Sequence, residues 1–415
     1  MNEMAMSSIV ERETIYAPRG MLTVHKYLPV AVLYFFLNSA GLTSGLFYTT
    51  MLSPFLFLWL FLEGKRWLTF KFLACLSPFI VAHALLGIDS SFYYARSAFL
   101  LWTTYITVYA FCWALLSCRN IDRLFEQIIV MNFAAAMTAL VLMPTSLGDL
   151  LWIDDSKVNP GAAHNLRLKL FTLEPSVYAG LMAPLLIFAA LRLFQKQGKR
   201  QALYLAMIAI PFLLCQSFGG LSMSLAGLGV ALLVTFRHLF RQKRTLLILT
   251  LGIALVVVLL AIPNPISRRV MQVASGSDSS TNSRTILSFV VAYSVAAAKS
   301  LWWGTGLGQA KLVDVSSLGV GFTVGIIPNA VAGTFAELGI IGVLVRFGVE
   351  FYLFFRTRVF TNPFRLAMFV IAFISQLTGS YLMDVQEYLM WCFAFAPFFP
   401  AMNMQKGAVL KNGHA

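Results

Sequence analysis

Two polar stretches in an otherwise apolar chain carry side chains that could do chemistry. The first runs from Asn159 through His164, Arg167 and Lys169 to Glu174-Pro175-Ser176. A guanidinium suits a pyrophosphate better than an ammonium does, because its planar fork makes two parallel hydrogen bonds. A carboxylate such as Glu174 could take a proton from a hydroxyl, or could cap the helix that Pro175 is suited to open. The second stretch holds Ser279-Ser280-Thr281-Asn282-Ser283-Arg284, then Trp302-Trp303-Gly304-Thr305-Gly306-Leu307-Gly308, and ends at Asn329 and Glu337. The tryptophans could anchor the chain at a lipid–water interface or stack on sugar rings. The glycine run has no preceding strand and is not a dinucleotide fingerprint; it allows a tight backbone turn after a re-entrant segment. Glu337 falls about 12 Å along a helix from Asn329. A carboxylate at that depth must face a polar cavity or a cation. No Asp/Glu/His grouping has metal-ligand spacing, and no metal or cofactor is expected.

The elements that must position these residues are membrane helices. The chain has 415 residues, 59% apolar and 12% charged, with a mean hydropathy of +0.77. That excludes a soluble enzyme, a nucleic-acid-binding domain and a disulfide scaffold, and Cys75, Cys112, Cys118, Cys215 and Cys392 read as small apolar residues. Apolar segments recur near 27–45, 47–62, 70–87, 98–116, 128–145, 176–192, 202–216, 219–236, 245–262, 329–353, 366–383 and 387–403. The expectation is an all-α polytopic membrane protein with about 12 transmembrane helices. A segment at 1–26 and a tail at 404–415 would flank a single transmembrane domain spanning 27–403. Numbered this way, 21 basic residues fall on one side and 9 on the other, which puts both termini in the cytoplasm. The long connections at 146–175 and 263–328, the second between spans nine and ten, then lie outside, and function should face that way. His164 is the one histidine placed there; His25, His83, His238 and His414 read as structural or solvated. Gln376, Ser380 and Asp384 follow i, i+4, i+8 spacing and should form one polar stripe on the eleventh span.

Taken together, these residues resemble the O-antigen polymerase and O-antigen ligase superfamily of bacterial envelope glycosyltransferases. The ligase signature is His, then Asn/Ser/Gln, nine residues, Gly, two residues, Gly. Here Asn329 is followed after nine residues by Gly339 and then by Gly342, with Pro328 in place of the histidine. Arg284 with Trp302-Trp303 and Gly304-Thr305-Gly306 is similar to the family's Arg-to-Gly-x-Gly region. Arg167 with Glu174-Pro175-Ser176 is similar to its earlier arginine-then-proline pattern. The resemblance implies transfer of a glycan from undecaprenyl pyrophosphate at the periplasmic face of the inner membrane, with no nucleotide. Lacking the ligase histidine, the chain looks more like a polymerase, which moves the growing glycan to a new lipid-linked repeat unit; a ligase would move it to lipid A-core. A chain-length-regulating co-polymerase is the implied partner. In this reading Arg167 and Arg284 stabilise the departing pyrophosphate. Glu174 is the first candidate base, with His164 and Glu337 behind it, and Lys169, Asn329, Trp302 and Trp303 help bind substrate. A flippase or transporter of lipid-linked oligosaccharide is the rival from another class.

Overall fold

The computed structural model describes residues 48–118, 120–154, 165–196, 198–239, 265–276, 278–315, 327–399 and 402. His164 and the expected spans at 27–45 and 245–262 lie outside the described residues. Elsewhere the chain is mostly helical, in the order α1 Tyr48–Leu62, α2 Leu68–Leu86, α3 Ser91–Leu116, α4 Ile121–Leu142, α5 Pro175–Lys196, α6 Lys199–Leu214 and α7 Phe218–Leu239. Then come α8 Pro265–Ala274, α9 Ser288–Ala297, α10 Ala330–Arg356, α11 Pro363–Thr378 and α12 Val385–Phe395. Among the described residues five helices are long and apolar enough to cross a membrane: Leu68–Leu86, Ser91–Leu116, Ile121–Leu142, Pro175–Gln195 and Ala330–Arg356. Large apolar side chains remain exposed along them, among them Phe70, Val81, Leu85, Val141, Leu344 and Tyr352. Water would tolerate no such surface, and lipid would.

The core forms where α5 meets α4, α6, α7, α11 and α12. In α5 83% of the most apolar window is buried, against 22–39% in the other four long helices. Rings of Phe125, Phe188, Phe364 and Phe399 pack there with centroids 4.8–6.1 Å apart. The helix that bears Glu174 at its mouth is therefore the most enclosed of the five, a rigid base for a site.

Three features depart from the sequence expectations. A two-stranded antiparallel hairpin, β1 Trp152–Asp154 with β2 Leu166–Leu168, interrupts the all-α pattern and pairs Ile153 with Arg167. Three-residue strands are too short to leave a periodic signal. The eleventh span stops at Thr378, so Ser380 and Asp384 lie in the connection to α12 and share no helix with Gln376. Finally, α10 is broken at Gly339, whose φ of 68° is left-handed. The turn that follows α9 fills the gap. Ile340 N donates to Leu301 O at 2.9 Å, Ile341 N to Trp302 O at 3.1 Å, Thr305 N to Ala336 O at 3.0 Å, and Gly306 N to Glu337 O at 2.9 Å. Backbone groups freed by the break thus find partners from a second segment, as an apolar environment demands.

Candidate functional site at the long connections

Direct contacts tie the long connection before α10 to the connections before α3 and α5, and the hairpin before α5 to the α6–α7 turn. Lys299 pairs with Asp89 at 2.7 Å and donates to Gly87 O, while Gln309 bridges to Ser90. Arg167 on β2 donates Nε–H to Cys215 O at 3.1 Å, in the α6–α7 turn. Arg284 and Glu174, from the two long connections, meet at 4.0 Å.

Each candidate residue has a distinct seat. Glu174 precedes Pro175 at the start of α5, accepts the Ser176 hydroxyl at 2.9 Å, and is exposed. Arg284 lies in a π turn, Ser283–Leu287, and is 34% exposed, so the pair with Glu174 faces solvent. Such a pair contributes at most ~1 kcal/mol, which leaves the guanidinium able to exchange partners for an anion. Tyr381 lies within electrostatic reach of both; burial, then the Glu174 charge, pushes its hydroxyl above the usual phenol range. Lys169 is half-buried, and burial lowers its ammonium from the ordinary lysine value. Trp302 is exposed; Trp303 packs edge-on against Phe79, and its carbonyl meets His83 Nε2 at 2.8 Å. Asn329 is fully buried and caps α10 by accepting Ala332 N–H at 2.9 Å. Glu337 sits just before the break in α10, with Oε2 buried and unpartnered. The structure therefore joins Glu174 to Arg284 and places Arg167 against the α6–α7 turn.

A second polar group lies below the mouth, and sequence reasoning did not assemble it. Arg346 on α10 bonds Glu387 on α12, Gln376 Oε1 on α11 at 2.7 Å, Thr334 Oγ1 at 3.2 Å, and Glu350 at 3.3 Å. Ser380 then donates toward Glu387 Oε2 at 2.5 Å and lies 3.2 Å from Asp384 Oδ2. Burial, then the Glu387 charge, pushes Asp384 up to about 7. The available signal was charge within apolar segments, since ionisable residues there default to function. Gln216 was also missed: it has φ 46° and a buried, unpartnered Oε1, beside the Cys215 carbonyl that Arg167 binds. Among the described residues no group of three or more His, Cys, Asp or Glu could hold a metal ion.

Fold and site together define a helical membrane-embedded protein with a polar cluster at one end. No protein-family model matches the chain, and no curated protein matches it.

Proposed function

We propose that this protein is a polysaccharide polymerase of the bacterial inner membrane. It would transfer a growing glycan from undecaprenyl pyrophosphate to a new lipid-linked repeat unit at the periplasmic face. What supports the reading is the meeting of Arg284 and Glu174, separated by 110 positions in sequence, at the solvent-facing end of the most enclosed helix. The acceptor hydroxyl forms a bond to the anomeric carbon as the bond from that carbon to the pyrophosphate breaks. The electron pair leaves with the pyrophosphate, where Arg284, aided by Arg167, meets the growing charge. One such donor is typically worth about 3 kcal/mol in the barrier. Glu174, beside the arginine, takes the hydroxyl proton. A single displacement inverts the anomeric centre. The family resemblance also suggests a co-polymerase that sets chain length.

The test is purified protein in liposomes with a lipid-linked oligosaccharide and no nucleotide. Longer lipid-linked products are expected from the natural protein and none from Arg284→Ala; the reading fails if the natural protein elongates nothing. One observation favours a second reading. The break in α10 and the buried Arg346–Glu387–Glu350 group are features of transporters, which bind cargo at discontinuous helices. A transporter would move the lipid-linked sugar across the same liposome without changing its length.

A further inference from the structure

We propose that Asn329 and Gly379 are positioning residues for Arg284: Asn329 ties down its backbone, and Gly379 leaves the space its guanidinium occupies. The inference rests on the glycosyltransferase reading for what Arg284 does, and on geometry alone for how it is held.

The Asn329 amide has no donor left for a substrate. Its Nδ2 hydrogens go to Arg284 O at 3.0 Å and Leu377 O at 2.6 Å, while Oδ1 accepts from Ala332 N. One buried side chain thus joins three elements: the π turn bearing Arg284, the last turn of α11, and the start of α10. A helix cap alone needs only the Oδ1 bond, which a serine could make. The two donated bonds exceed that need, and one goes to the backbone of the arginine itself. π turns are irregular ladders that recur at functional sites.

Gly379 follows immediately. Its φ of 173° lies outside the left-handed region that favours glycine, and what stands beside it is the Arg284 side chain. A Cβ built there would lie 3.2 Å from Arg284 Nη1 and 3.9 Å from its Cδ, and beyond its chain neighbours would meet no other described atom within 4 Å. Beyond its chain neighbours, Gly379→Ala therefore crowds Arg284, whose guanidinium must give by a few tenths of an ångström. A misplacement of about 1 Å can cost on the order of 100-fold in rate, so a shift about half that large should cost roughly tenfold.

The experiment measures elongation and melting temperature for Gly379→Ala and Asn329→Ser, each alone and in an Arg284→Lys background. Gly379→Ala should lower kcat about tenfold with an unchanged melting temperature, and Asn329→Ser, which keeps the cap, should lower it at least as much. In the Arg284→Lys background neither should lower kcat further, because the group they position is gone. Binding of inorganic pyrophosphate to the purified protein repeats the comparison without turnover, with Gly379→Ala weakening it as Arg284→Lys does. Natural kcat and pyrophosphate affinity in Gly379→Ala, or equal losses in both backgrounds, would overturn the proposal. If Asn329→Ser fails to fold, Gly379→Ala decides alone. An Arg284→Ala variant that still elongates would instead overturn the role given to the arginine, whatever its neighbours do.

Discussion

At the scale of the residue, the candidate site combines a weak pair that faces solvent with strong pairs that do not. Glu174 and Arg284 are both partly exposed at 4.0 Å, so their attraction adds little stability. Glu174→Gln therefore separates a chemical role from a structural one. It should leave the melting temperature nearly unchanged while elongation falls at least ~100-fold, the usual minimum for a general base. Near-natural elongation would return the base to Glu337 or His164. Asp384 gives a pH dependence of definite sign. Burial raises it from an ordinary value of 3.8 to about 7, so between those limits the folded protein holds a proton that the unfolded chain has lost. Its contribution to stability must then fall as pH rises from about 4 to 7. Melting temperatures over that range should show the decline, and Asp384→Asn should flatten it; an identical slope in the variant would assign the decline elsewhere. The chemistry-bearing types in the long connections were legible in sequence because polar residues stand out against apolar neighbours. The bonding around Arg346 was not, since Glu350, Gln376 and Glu387 come from three helices and only the fold brings them together.

At the scale of the element, apolar length located the helices well and their ends poorly. The expected span at 176–192 is α5, Pro175–Lys196, and the one at 329–353 is α10, Ala330–Arg356. The span expected to run to 383 stops at Thr378, because apolarity continues through Leu377 and Leu382 while the backbone turns at Gly379. Nothing in the periodicity marked the break within α10. Gly339 and Gly342 entered only through spacing, and spacing does not say which glycine bends the chain. Gly339 plays that part, with φ 68° and a carbonyl of Trp302 where a Cβ would stand. Gly339→Ala must both adopt a left-handed conformation and push the 301–306 turn away. The cost should exceed about 2 kcal/mol. A drop of several degrees in detergent melting temperature, with elongation lost alongside, would register it; Gly348→Ala, which meets open space in the same helix, should register nothing.

At the scale of the whole molecule, contacts between connections and charges in sequence point to the same two-ended arrangement. One end joins the hairpin, the α6–α7 turn, the π turn and the last turn of α11 through Arg167, Arg284 and Asn329. The other joins the remaining connections through different pairs: Lys65 over the Trp113 ring, Arg192 with Asp122, Arg200 with Glu126, and Asn362 with the Phe398 and Phe399 carbonyls. The described basic residues Lys65, Arg66, Arg123, Lys199 and Arg200 lie in or beside these connections, and in the proposed reading the charge rule would hold this second end in the cytoplasm. Folding alone does not orient the bundle in a bilayer, so the orientation proposed from charge needs its own test. With the five native cysteines replaced by alanine, Leu173→Cys and Trp302→Cys test the first end, and Ser117→Cys and Phe360→Cys the second; all four natural residues are exposed. A membrane-impermeant maleimide should label the first two in spheroplasts with intact inner membranes, and the last two only after permeabilisation. The reverse pattern would put Arg284 and Glu174 in the cytoplasm, on the wrong face for a donor already flipped outward, and the polymerase reading would fall with it.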